Sequence, residues 1–192
     1  FVVRDSSYLY NPRMLQSYIP SDIMLAKAAN AVRDLFPGST PVVLRRHGGR
    51  DDKADFIKRL TALYADSDTP VTTIEFTDAL TAADLSKLPS GKNYVLIPTS
   101  GSLAEFNKLS GGVLEAQADA LGGSTYALFG YPDWTSFRGP NRDMLHRLGA
   151  TIYTRFYYDP FSPEVKQLEA RYNTDFGGTM VDAVPSPALL GF

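Results

Sequence analysis

The chain has 192 residues, 44% of them hydrophobic and 21% charged, enough to bury one sizeable core and part of a second. A formal net charge of −2, with acids and bases interspersed, leaves no electrostatic footprint for nucleic acid or an anionic membrane surface. The absence of cysteine excludes disulfides, thiolate metal sites and cysteine nucleophiles, and the only two histidines, His47 and His146, lie far apart, which argues against a histidine-rich metal site.

No apolar run approaches the roughly 20 residues that span a bilayer. The opening "FVVRD" has neither an initiator methionine nor a signal-peptide pattern, so the sequence reads as a mature or excised piece, which leaves room for a signal lost before residue 1.

In chain order, "SDIMLAKAANAVRDLF" predicts a helix over 21–36. Ser21 or Asp22 serves as N-cap, Ile23, Ala26, Val32 and Phe36 recur at roughly helical spacing, and Pro37-Gly38 ends it. "PVVLRR" (41–46) is short, apolar and β-branched and predicts a strand. "DDKADFIKRLTALYAD" (51–66) predicts a helix with acids in its first turn and Phe56, Leu60 and Leu63 on one face. A strand over 71–76, a short helix over 82–88 and a strand over 93–99 follow. "SLAEFNKLSGGVLEAQADAL" (102–121) predicts a helix that Gly111-Gly112 interrupts.

"STYALFG" (124–130) is a fourth strand, "NRDMLHRLG" (141–149) a helix capped by Gly149, and "TIYTRFYY" (151–158) a fifth strand. A helix over 162–178, with Pro163 at its first position, precedes a Pro-rich loop and "PALLGF", which looks like the start of another helix. The alternation predicts an α/β three-layer sandwich with a five-stranded parallel sheet, Rossmann-like, in the order 2-1-3-4-5.

Such sheets bind ligands beyond the carboxyl ends of their strands, near the point where strand order reverses. Three loops qualify: "RRHGGRDD", "TSGSLAE" and "GYPDWTSF". In the first, Arg46 and His47 offer charge and donors beside glycines, but the Lys-[Ser/Thr] ending of a phosphate loop is missing. In the second, Ser100, Gly101 and Ser102 stand before a helix, suited either to an ordinary N-cap or to holding a carboxylate or phosphate oxygen. In the third, two readings stand side by side: Asp133 meets an amine and Trp134, as a partly exposed indole, stacks on a ligand, or Trp134 packs under its own loop while Asp133 initiates a turn.

His146 falls within an amphipathic helix, and Glu105, Glu115 and Asp119 read as a solvated helix face. No nucleophile stands beside a base, and the G-x-S-x-G elbow is absent, which weighs against an enzyme. The expectation is a chain with no catalytic residues, cofactor or metal.

The order of "QSYIPSDIMLAKAANAV", "PVVLRR", "YVLIPTSGSLAEFNKLSGGV", "ALFGYPDW" and "YYDPFSPEVKQLEARYNTDFG" resembles the type 1 periplasmic binding proteins, the bilobal group that includes branched-chain amino-acid-binding proteins. It is most similar to a Bacteroidetes branch often joined to lysin-motif, peptidoglycan-binding modules. The resemblance implies that 1–158 form most of a second lobe, with Phe1–Asp5 and Thr154–Tyr158 as interlobe crossings, and that 159–192 belong to an incomplete first lobe. It further implies a ligand site at Ser100, Gly101, Ser102, Asp133 and Trp134, with Asp133 meeting a ligand ammonium.

The functional expectation is a non-enzymatic solute-binding or receptor-type protein of the periplasm or cell envelope, closing two lobes over a small polar, amino-acid-like ligand. Its rival is a peptidoglycan-associated or protein-interaction scaffold that has lost small-ligand binding and uses the aromatic cluster Phe156, Tyr157, Tyr158 and Phe161 as a contact surface.

Overall fold

A computed structural model describes residues 19–119, 123–154 and 162–176. Its elements, in order, are α1 (Ser21–Leu35), β1 (Thr40–Arg46), α2 (Ala54–Leu63), β2 (Thr72–Phe76), α3 (Ala82–Leu85) and β3 (Asn93–Pro98). They continue with α4 (Leu103–Asp119), β4 (Thr125–Gly130), a 3-10 turn (Pro132–Ser136), α5 (Pro140–Arg147), β5 (Thr151–Ile152) and α6 (Pro163–Phe176).

The five strands form one parallel sheet in the order β2-β1-β3-β4-β5, as the alternation of strand and helix predicts. Order reverses between β1 and β3, each of which leads into a loop at the same edge.

Strand side chains alternate between two apolar layers. Tyr94 and Leu96 of β3, with Tyr126 and Leu128 of β4, face the layer filled by Leu85 of α3, by Phe106, Leu109 and Val113 of α4 and by Leu145 of α5. Val95 and Ile97, with Phe129, face the other, filled by Ala28, Ala29 and Val32 of α1 and Phe56 and Leu60 of α2. A strand covered on both sides needs apolar residues at every position, which is why "YVLI" has no polar alternation.

Two sequence expectations are corrected. Gly111 and Gly112 do not interrupt α4, which runs through them to Asp119. Gly112 is there for close approach: a Cβ on it would lie 2.3 Å from the carbonyl oxygen of Leu80. The fifth strand is limited to Thr151–Ile152, against the 151–158 expected. It pairs Thr151 with Phe129 and Ile152 with Gly130, and the partner strand then runs out at Tyr131-Pro132, where proline has no N–H to offer a ladder. Tyr153 and Thr154 lie outside any strand, and positions 155–158 lie outside the described residues.

The chain divides into two compact units, of which Asp22–Tyr153 carries the sheet and Thr154–Phe192 belongs, with Phe1–Ser21, to the other. The second contains α6, whose N-terminus is capped by Ser162 Oγ accepting from the Val165 N–H at 3.2 Å. The expected interlobe crossing at 1–5, most of that at 154–158, the aromatic cluster at 156–161 and the terminal "PALLGF" helix lie outside the described residues.

Candidate functional site

The loops that follow β1, β3 and β4 meet at one edge of the sheet because each strand of a parallel ladder ends on the same side. They are bonded to each other. The Lys53 N–H donates to the Thr99 carbonyl at 3.2 Å, the Thr99 hydroxyl to the Arg50 carbonyl at 3.2 Å, and the Gly101 N–H to Asp52 Oδ1 at 3.3 Å. Tyr131, fully buried at the end of β4, donates its hydroxyl to the Pro98 carbonyl of β3 at 2.6 Å. Burial pushes that phenol well above its ordinary pKa, with nearby Tyr153 and the loop carboxylates adding to the effect.

Two ion pairs organise the edge. Arg46 grips Glu105 with both arms of its fork, Nε to Oε2 at 2.8 Å and Nη2 to Oε1 at 2.6 Å, and the Arg50 N–H adds a third contact to Oε1 at 3.3 Å. The Arg46 hydrogen bonds hold the Glu105 carboxyl below its usual range, against the opposing effect of burial, and the Arg50 amide assists. Glu105 is therefore not on a solvated helix face, as its sequence context implies. It is 7% exposed and ties the tip of β1 to the first turn of α4.

The second pair joins Lys53 Nζ to Asp133 Oδ2 at 2.9 Å, bridging the loops after β1 and β4 across the glycine between them. A Cβ on Gly101 would lie 2.8 Å from both Asp133 Oδ2 and Lys53 Cε, so a side chain there would have to push the ends of this pair aside. The Lys53 ammonium also sits 5.1 Å from the centroid of the Tyr131 ring and 3.8 Å from Asp52 Oδ2.

The remaining sequence-predicted residues separate by role. Ser102 accepts the Glu105 N–H at 3.4 Å and so caps α4, while the Ser100 hydroxyl, 1% exposed, accepts the Ser102 N–H at 3.1 Å and donates to the Ser102 hydroxyl at 3.2 Å. His47 is exposed, and its backbone N–H donates to the Phe76 carbonyl at 2.7 Å.

Of the two readings of Trp134 the structure takes the packed one, which corrects its assignment to the ligand site: the indole is 1% exposed. The 3-10 turn folds it back over Gly130 and against Phe106, with ring centroids 5.1 Å apart, and against Phe137 and Tyr131, both at 6.2 Å. Burying so large a ring outweighs leaving its Nε1–H without an acceptor, which it is. Asp133, one residue earlier, points the other way, its side chain 48% exposed.

The structure brings Arg46, Ser100, Gly101, Ser102 and Asp133 together on one edge, and adds Lys53, Asp52 and Glu105, which the sequence reading did not single out for it. One signal for Glu105 was available. Ser102-x-x-Glu105 has the spacing of a capping box, whose glutamate belongs to a first turn near the edge. In the fold that glutamate turns instead to Arg46.

Among the described residues, no helix is long and apolar enough to cross a membrane, and no group of three or more His, Asp or Glu is arranged to hold a metal ion. The fold and this edge together define a Rossmann-like parallel α/β unit with a charged, cross-linked set of loops at its switch point. No protein-family model matches the chain, and a search of curated proteins returns no match.

Proposed function

We propose that the chain is a non-enzymatic solute-binding or receptor-type protein of the bacterial cell envelope, whose type 1 periplasmic-binding-like lobe holds a small polar, amino-acid-like ligand at the carboxyl edge of its sheet. The observation that carries this reading is the convergence of three post-strand loops on Asp133, a half-exposed carboxylate beside a helix N-terminus. Asp133 already takes an ammonium, that of Lys53 at 2.9 Å, and a ligand's ammonium suits the same carboxylate from its exposed flank. Ligand binding at loops whose contacts differ between open and closed states favours the closed state, as in hinge-closing binding proteins.

Isothermal titration calorimetry with a panel of amino acids, dipeptides and neutral sugars tests the reading. Amine-bearing solutes are expected to bind saturably, and Asp133→Asn to weaken them by roughly ten-fold or more through loss of a charge-assisted bond. Equal binding by wild type and Asp133→Asn refutes the assignment of Asp133.

One observation favours a second reading, a peptidoglycan-associated or protein-interaction scaffold. Arg46 and Lys53 are both neutralised within the chain and the indole is turned inward, so the edge keeps few groups for a small solute. Co-sedimentation with purified peptidoglycan, together with a blank solute panel, would establish it.

A further inference from the structure

We propose that Lys53 fills an ammonium seat at this edge and competes, as a tethered occupant, with any external primary amine. The inference deepens the solute-binding reading and rests on it only for the identity of the natural competitor.

The seat is visible in what surrounds Nζ. Asp133 Oδ2 lies at 2.9 Å, Asp52 Oδ2 at 3.8 Å, and the face of Tyr131 is 5.1 Å away. Two carboxylates and an aromatic face are the composition that recognises an ammonium ion. The side chain is only 17% exposed, whereas Asp133 keeps an open flank at 48%. An incoming amine therefore reaches the carboxylate without first unfolding the loop.

Helix capping does not account for a lysine here, and the neighbouring Asp52 reaches its ammonium only at 3.8 Å. Lys53 occupies the N-cap of α2, makes no side-chain capping bond, and brings a positive charge to the positive end of the helix. Serine, threonine, aspartate or asparagine would suit the position better, and a residue that breaks a local rule is compensated by something distant. The compensation is Asp133, 80 residues along the chain. Gly101 permits it, since a side chain there would intrude on both partners at 2.8 Å.

The test replaces the tether. In Lys53→Ser, which restores a good cap, propylammonium matches the deleted stem and charge. The whole 192-residue chain is titrated at constant ionic strength, with amide shifts of Gly101, Tyr131 and Asp133 read by NMR and 1-propanol as the uncharged control. The variant is expected to bind propylammonium saturably, at least ten-fold tighter than wild type and with no response to propanol. Adding Asp133→Asn is expected to abolish the effect.

A folded Lys53→Ser chain that binds propylammonium no better than wild type overturns the inference. Should the serine variant lose spectral dispersion, Lys53→Ala is read by the same criterion. If the variant binds propylammonium while the wild-type solute panel is blank, the seat stands and the solute-binding reading falls. If wild type binds an amine solute through Asp133 but the variant gains nothing, the reading stands and self-occupancy falls.

Discussion

Replacing Trp134 with alanine separates packing from ligand stacking. The indole is 1% exposed and lies among Phe106, Tyr131, Phe137 and the bare face of Gly130, so its removal leaves a cavity in a packed aromatic cluster. A fully buried tryptophan truncated to alanine costs about 3–5 kcal/mol. With a urea dependence of about 2 kcal/mol per molar, the unfolding midpoint should fall by about 1.5–2.5 M.

That loss is a large share of the ~5–15 kcal/mol typical of a domain, so Trp134→Phe provides a milder arm. It keeps an aromatic ring, removes a donor that has no acceptor, and should cost about 1–2 kcal/mol. Far-UV circular dichroism is the appropriate readout, because the substitution removes the only tryptophan. In the wild type, that single fluorophore should emit as a buried indole and resist quenching by iodide. A Trp134→Ala midpoint within about 0.5 M of wild type, at unchanged slope, refutes the packing argument and returns the indole to the ligand site.

Gly112→Ala places a Cβ 2.3 Å from the Leu80 carbonyl oxygen and should destabilise by about 1–3 kcal/mol, whereas Gly111→Ala, with nothing within 4 Å, should stabilise by about 0.5–1 kcal/mol in the same urea titration. Equal effects at the two positions contradict the close helix approach. Glu105 has a depressed pKa in the folded chain, so the stability it contributes is present above its unfolded value of about 4.5 and is lost as pH falls through the lower folded value. Thermal melts across the acid range should show Glu105→Gln less stable at neutral pH but with a shallower decline below pH 4.5. Some decline remains, because Asp84, bound by Lys87 and Thr81, is depressed in the same way. An unchanged acid slope argues against the Arg46–Glu105 pairing.

The two apolar layers are legible in the sequence because they follow from local regularities. "PVVL", "NYVLIP" and "YALFG" are short and apolar without alternation, and helical spacing lies between them, so a parallel sheet covered on both faces follows from period and length. The position of the candidate site followed from the same regularity, since strands running in one direction bring their trailing loops to one edge.

What was not legible depended on partners distant in the chain. Glu105 and Glu115 look alike in sequence, yet one is 7% exposed and clamped by Arg46 while the other faces solvent. The tandem Gly111-Gly112 carries the mark of a helix break, and only the crossing of the Leu80 carbonyl turns it into a contact surface.

Sequence alone determined the number and direction of the strands and the edge on which Arg46, Ser100 and Asp133 meet, because backbone hydrogen bonding and apolar periodicity are local and repetitive. Tertiary structure decided which charges are spent on each other and which remain for a ligand. Pairing Lys53 with Asp133, or turning Trp134 inward, is settled by which groups approach within a few ångströms across separate loops, and a contact between residues 80 apart leaves no pattern in either local stretch.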